Sequence, residues 1–175
     1  MWRWTERQRE AYARLLDRVA KNGKLPMRAR AMRMLGEVPA MEPERLRPYL
    51  DPEEPLLRRA ALTALPWTAR PRDVLGDLLE HAGGDDGHVA VYAAARAARF
   101  VRPGELAAAL APVLAEGKVT ARKEAVRLLA RHRAPGAMEL LRDLWAAGDT
   151  QHGNKFVQRT VRSWPQMPSR VGCSW

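Results

Sequence analysis

Residues 57–65 read LRRAALTAL, a stretch whose small and apolar residues fall at helical spacing with its charges to one side. The pattern returns as MRARAMRMLG from Met27, VAVYAAARAA from Val89, ARKEAVRLLA from Ala121 and GNKFVQRTVR from Gly153. Small or apolar residues recur at the first, fifth, eighth and ninth places, the spacing of one buried helix face. Eighteen residues before Leu57, Val89, Ala121 and Gly153 stand Pro39, Pro71, Pro103 and Pro135, so the chain repeats every 32 residues. From Met27 to Leu57 the spacing is 30, and a shorter turn at 36–39 accounts for the difference. Self-similarity at a fixed period of about 20–50 residues marks stacked units that bury their apolar faces against their neighbours. Such stacks present long surfaces and seldom build catalytic pockets, so binding is the expected kind of function.

Between these segments lie MEPERLRPYL, RPRDVLGDLL, RPGELAAALAPVLA and APGAMELLRDLW. Each opens on proline or acidic residues, as helix N-termini do, and carries Leu, Val or Met at i, i+3/i+4 and i+7. Gly and Asp clusters at 82–87, 115–118 and 146–150 mark turns, and Thr120 and Asp86 are candidate N-caps for the helices that follow. A first helix is predicted over residues 6–19, with Tyr12, Leu15, Leu16 and Val19 on it. No stretch has the alternation of a strand. The expected fold is all-α: a right-handed α-solenoid of about five helical hairpins in one domain over residues 1–164, with an irregular tail at 165–175.

Helix pairs of this length, whose second members read V-R-x-x-A-A-x-A-L, resemble HEAT repeats of the short bacterial type. Leu57 to Leu65 fits that pattern nearly throughout, as do Met27-Arg28 to Leu35-Gly36. Val89 to Ala97 and Ala121 to Leu129 fit less fully, because Arg96 and Leu128 replace the small eighth residue. The unit from Gly153 departs most and lacks the Ala pair. The resemblance covers about residues 5–164. It implies that the second helices line the concave side and the first helices the convex side. It implies no particular activity, because one fold serves many functions.

Charge is unevenly placed between the two sets of helices. The chain carries a net +10, with about 25 of its 30 basic residues being Arg. The second helices (27–36, 56–69, 88–101, 120–133, 151–164) sum to +14, with Glu124 their only acid. The first helices and their turns (42–55, 70–87, 102–119, 134–150) sum to −8. With the orientation that the resemblance implies, the inner face is a basic trough. The residues expected to line it are Arg28, Arg33, Arg58, Arg59, Arg99, Arg122, Lys123, Arg127, Arg131, Lys155, Arg159 and Arg162. Set one repeat apart, Arg99 with Arg131, Lys123 with Lys155, and Arg127 with Arg159 would form ladders that attract an extended anion. Against this stands a plainer reading: solvated arginines whose stems cover apolar ridges.

Other chemistry is sparse. The longest apolar run, 106–115, is far short of the roughly 20 residues that cross a membrane. The N-terminal segment lacks the apolar core of a signal peptide. Cys173 is the only cysteine, and a cytoplasmic location is expected. His81, His88, His132 and His152 show no metal-ligand spacing, and 85–87 is not a calcium loop. There is no G-x-S-x-G, P-loop or dinucleotide motif. No cofactor and no catalysis are expected. Of the six tryptophans, Trp145 aligns with Val113 as a core residue, and Trp67 and Trp164 are read as helix-end packing or as stacking and anchoring surfaces. Trp2, Trp4 and Trp175 are expected to cover the ends of the stack or to mark a contact with another chain.

The leading expectation is a non-catalytic scaffold that binds an acidic protein segment, or another anionic partner, on its basic concave face. The alternative is nucleic-acid binding, as in HEAT-like alkyl-base DNA glycosylases. Those enzymes need a carboxylate and aromatic residues facing the base, and the second helices offer only Glu124. A tail that makes a poor cap also suggests end-to-end self-association through Trp164 and Trp175, or a piece of a longer stack.

Overall fold

The computed structural model describes residues 4–50 and 54–146, apart from the side chains of 144–146. Lys155, Arg159, Arg162, Trp2, Trp164, Trp175, the side chain of Trp145, the second helix of the expected last hairpin and the tail lie outside the described residues. Within them the chain is all-helical, with no strand. The α-helices are α1 (Glu6–Asn22), α2 (Leu25–Gly36), α3 (Pro55–Ala64), α4 (Leu75–Glu80), α5 (Gly87–Ala97), α6 (Pro103–Glu116), α7 (Val119–His132) and α8 (Ala137–Ala146). None is long and apolar enough to cross a membrane.

Local chemistry sets where the helices start. Thr5 and Gln8 form a reciprocal capping box at the head of α1, in which Gln8 N donates to Thr5 Oγ1 at 3.3 Å and Thr5 N to Gln8 Oε1 at 2.9 Å. Proline lies in the first turn of α2, α3 and α6, where its missing N–H costs nothing. Helix α7 closes on Arg133, which adopts a left-handed conformation with φ 48°.

Two expected first helices differ from their sequence reading. MEPERLRPYL forms no α-helix but two 3₁₀ turns, Pro43–Arg45 and Arg47–Leu50. Their bonds span three residues, as in Leu46 N to Pro43 O at 2.9 Å and Tyr49 N to Leu46 O at 3.1 Å. Pro48 can donate no i→i−4 bond and crowds the preceding turn, so the tighter coil wins. In the next unit, residues 71–74 form turns, and α4 begins only at Leu75 and runs six residues.

The candidate caps also need correcting. The N-cap of α7 is Lys118, and Thr120 lies inside the helix. Asp86 does stand at the N-cap of α5, but its side chain makes no capping bond.

Each helix packs on close neighbours in the chain. Helices α2 and α3 touch, as do α3 and α5, while α4 meets α6 and α6 meets α8. Helix α7 packs on α6, on α4 and on the 3₁₀ turn His81–Gly83. Across the second helices α2, α3, α5 and α7, the fifth place (Ala31, Ala61, Ala93, Ala125) and the ninth (Leu35, Leu65, Ala97, Leu129) are buried, as the periodicity predicts. The sixth place is buried too (Met32, Leu62, Ala94, Val126). The first place is less regular, since Met27 is exposed.

Helix α2 meets α3 without clearance. A Cβ on Gly36 would sit 2.7 Å from Ala64 Cβ and 2.9 Å from Ala64 O, inside van der Waals contact with backbone. Three residues after Glu37, Ala40 holds φ 59°, a left-handed conformation that disfavours any Cβ.

These two positions predict opposite outcomes in urea melts. Gly36→Ala forces α2 and α3 apart and should cost roughly 1–3 kcal/mol. Ala40→Gly removes the left-handed penalty and should gain about 1 kcal/mol, less the added flexibility of the unfolded chain.

Candidate functional site

The predicted basic residues divide into two groups. Arg28, Arg58 and Arg59 bond within the chain. Arg28 Nε donates to Ala20 O at 2.8 Å, closing the end of α1, and its Nη1 reaches Glu54 Oε1 at 2.7 Å. Arg58 Nε donates to Asp86 Oδ2 at 2.6 Å, and Arg59 Nε closes on Asp86 Oδ1. Arg28 and Arg58 occupy the second place of their helices, and Glu54 and Asp86 the N-cap positions of the next helices in that row. The period therefore places an arginine of one unit against an acid that opens the next.

Asp86 is the centre of this arrangement. It is 2% exposed, and the side chain of Arg58 is 11% exposed. Burial opposes ionisation of Asp86, but the hydrogen bonds and charges of Arg59 and Arg58 outweigh it and hold its carboxyl below the usual range. Its place before the first turn of α5 adds the favourable end of the helix dipole.

Matched charges also knit the other side. Arg45, in the first 3₁₀ turn, reaches Glu10 at 2.8 Å and Asp17 at 2.9 Å on α1. Arg47 reaches forward to Asp77 of α4 at 2.8 Å, and Arg70 holds Glu42 and Glu44. The hydrogen bond from Arg45 is the chief reason that Glu10 titrates below its ordinary range.

The second group points outward from the second helices. Arg33, Arg99, Lys123, Arg127 and Arg131 are exposed, while Arg122 is half-buried. Arg127 pairs with Glu124 on its own helix, across the adjacent turn. Arg33, Arg99, Lys123 and Arg131 make no ion pair among the described residues. Burial first, then the charges of Arg131 and Arg99, depress the pKa of His132. The end of α5 and the end of α7 thus bring two predicted cations, Arg99 and Arg131, near one imidazole.

Three residues that the charge pattern did not single out complete this face. Trp67, at the end of the Leu65–Trp67 3₁₀ turn, is 46% exposed, and Phe100 is 54% exposed. Their ring centroids lie 5.8 Å apart at 51°. The Arg96 guanidinium lies over Trp67, 4.1 Å from its centroid. Beside Trp67 opens a cleft of about 490 Å³ lined by Arg33, Gly36, Glu37, Thr63 and Ala64, among others. The signal for these residues was in the period: Trp67 aligns with Arg99 and Arg131, and Phe100 is the next residue after Arg99. Trp67 is nearly half exposed and packs against Phe100 and Arg96. Among the described residues no three His, Cys, Asp or Glu side chains gather as a metal site would need.

Removing the acid at the buried junction breaks the Arg58–Asp86 and Arg59–Asp86 pairs. Asp86→Asn is expected to cost about 3 kcal/mol in urea melts at pH 7, the scale of a broken buried pair. Because the folded pKa is depressed, this stabilisation is complete above the unfolded value of about 3.9 and is lost as pH falls through the folded one. The stability gap between wild type and Asp86→Asn should therefore narrow progressively as the pH falls below about 4. A gap that does not shrink as the pH falls below about 4 would contradict the ion-pair account. In comparison with known proteins, no family model, no curated protein and no solved structure matches this chain.

Proposed function

We propose that the chain is a HEAT-like stack of helical hairpins serving as a non-catalytic interaction module, whose second-helix face binds an acidic protein segment. Neighbour-only packing, a common buried set at the fifth, sixth and ninth places, and arginine–acid ties at equivalent positions support the stack. The observation that carries the function is the contrast in charge satisfaction between the two sides. Around the 3₁₀ turns, Arg45, Arg47 and Arg70 are each matched to two or more carboxylates. On the second helices, Arg33, Arg99, Lys123 and Arg131 stand exposed with no such match among the described residues. Clustered unmatched cations raise the local potential and steer an anionic partner toward that face.

Titration of fluorescein-labelled poly-glutamate in a salt series tests this reading, with a short DNA duplex run in parallel. Poly-glutamate should bind, and the double reversal Arg99→Glu with Arg131→Glu should weaken it by about tenfold or more. Unchanged affinity in the double variant would remove this face from the interaction. Tight duplex binding that falls steeply with salt, with none to poly-glutamate, would transfer the face to nucleic acid.

A further inference from the structure

We infer that the Trp67–Phe100 pair is an anchor site for an aromatic side chain carried by the acidic segment, so that the partner is an acidic peptide with an aromatic residue rather than a uniform polyanion. This rests on the reading of the second-helix face as acid-binding. Two large rings at about half exposure, 46% and 54%, form a contiguous apolar patch that water solvates poorly. Tryptophan and arginine are the residues that most often concentrate binding energy at interfaces, and here they are stacked in advance. That contact fixes the indole before a ligand arrives and lowers the ordering cost of binding.

The cleft beside Trp67 supplies the matching concavity. Gly36 and Ala64 contribute little side chain to its lining, where α2 and α3 touch, and Arg33 and Glu37 line it as well. Its volume of about 490 Å³ accommodates a side chain and the backbone that bears it. Arg33 lines the cleft and Arg99 adjoins Phe100, so carboxylates flanking the inserted ring would meet cations on either hand. Glu37 is the one acid in the lining. A nucleobase fits less well. Arg96 lies over one face of Trp67, 4.1 Å from its centroid, which leaves less open ring for a base to stack on.

The experiment compares two labelled polymers of equal length, poly-glutamate and a random glutamate–tyrosine copolymer, by fluorescence anisotropy. Wild type should bind the copolymer about tenfold more tightly than poly-glutamate, the scale of one buried aromatic anchor. Trp67→Ala and Phe100→Ala should each abolish that preference and leave poly-glutamate affinity unchanged, with thermal melts confirming the fold. Should Trp67→Ala fail to fold, Phe100→Ala carries the test. Equal affinity of wild type for both polymers, or a preference that survives Phe100→Ala, overturns the anchor while leaving the acid-binding face intact. Binding of neither polymer overturns both. A preference for oligothymidylate that depends on Trp67 overturns the peptide assignment in favour of nucleic acid.

Discussion

The tightest constraint in this fold is the close approach of α2 to α3. Ala31, Ala61, Ala93 and Ala125 recur at one buried place, and Gly36 meets Ala64 with no room for a methyl group. Small side chains let helix backbones approach, but each buries little apolar area and so contributes little on its own. The longer apolar residues at the sixth and ninth places, such as Met32, Leu35, Leu62 and Leu65, supply the bulk of the buried area. Shape at the fifth place sets the spacing, and volume at the sixth and ninth supplies the cohesion.

Charge does a second job in the same geometry. The arginines at the second place of α2 and α3 reach across to acids at the heads of the next helices in the row, through Arg28 with Glu54 and Arg58 with Asp86. Arg33, Arg99, Lys123 and Arg131 in the same row are exposed and make no ion pair among the described residues. A basic sum over the second helices therefore mixes arginines that join one helix to the next with cations that stand exposed. Only the second population can meet a partner without breaking the first.

The helices of the second row were legible because their pattern is dense, free of internal proline up to the ninth place, and repeated. Places five and nine stand out in every described copy, whereas place eight carries Met34, Ala64, Arg96 and Leu128 and is half-buried in two of them. The 3₁₀ turns were misread because apolar spacing in MEPERLRPYL suits a helix, while the backbone consequence of Pro48 outweighs it. Asp86 was misread for a different reason. A carboxylate just before a helix has an obvious local role, and its real partners lie 27 and 28 residues earlier in the chain. Long-range pairing of this sort leaves its trace only when an acid and an arginine recur at matched places. The aromatic pair likewise depends on contact between units, which no local window contains.

The arginine–acid ties are not distributed evenly. Where the period calls for the next pair, α5 offers Ala90, and the head of α7 carries Lys118. Helix α7 packs on α4, α6 and the His81–Gly83 turn. The contacts of α2 with α3 and of α3 with α5 thus each carry a directional arginine–carboxylate bond, through Glu54 and Asp86. The head of α7 offers a lysine where the other two helices offer an acid, so the same period that joins two pairs of helices by charge leaves the third without that bond.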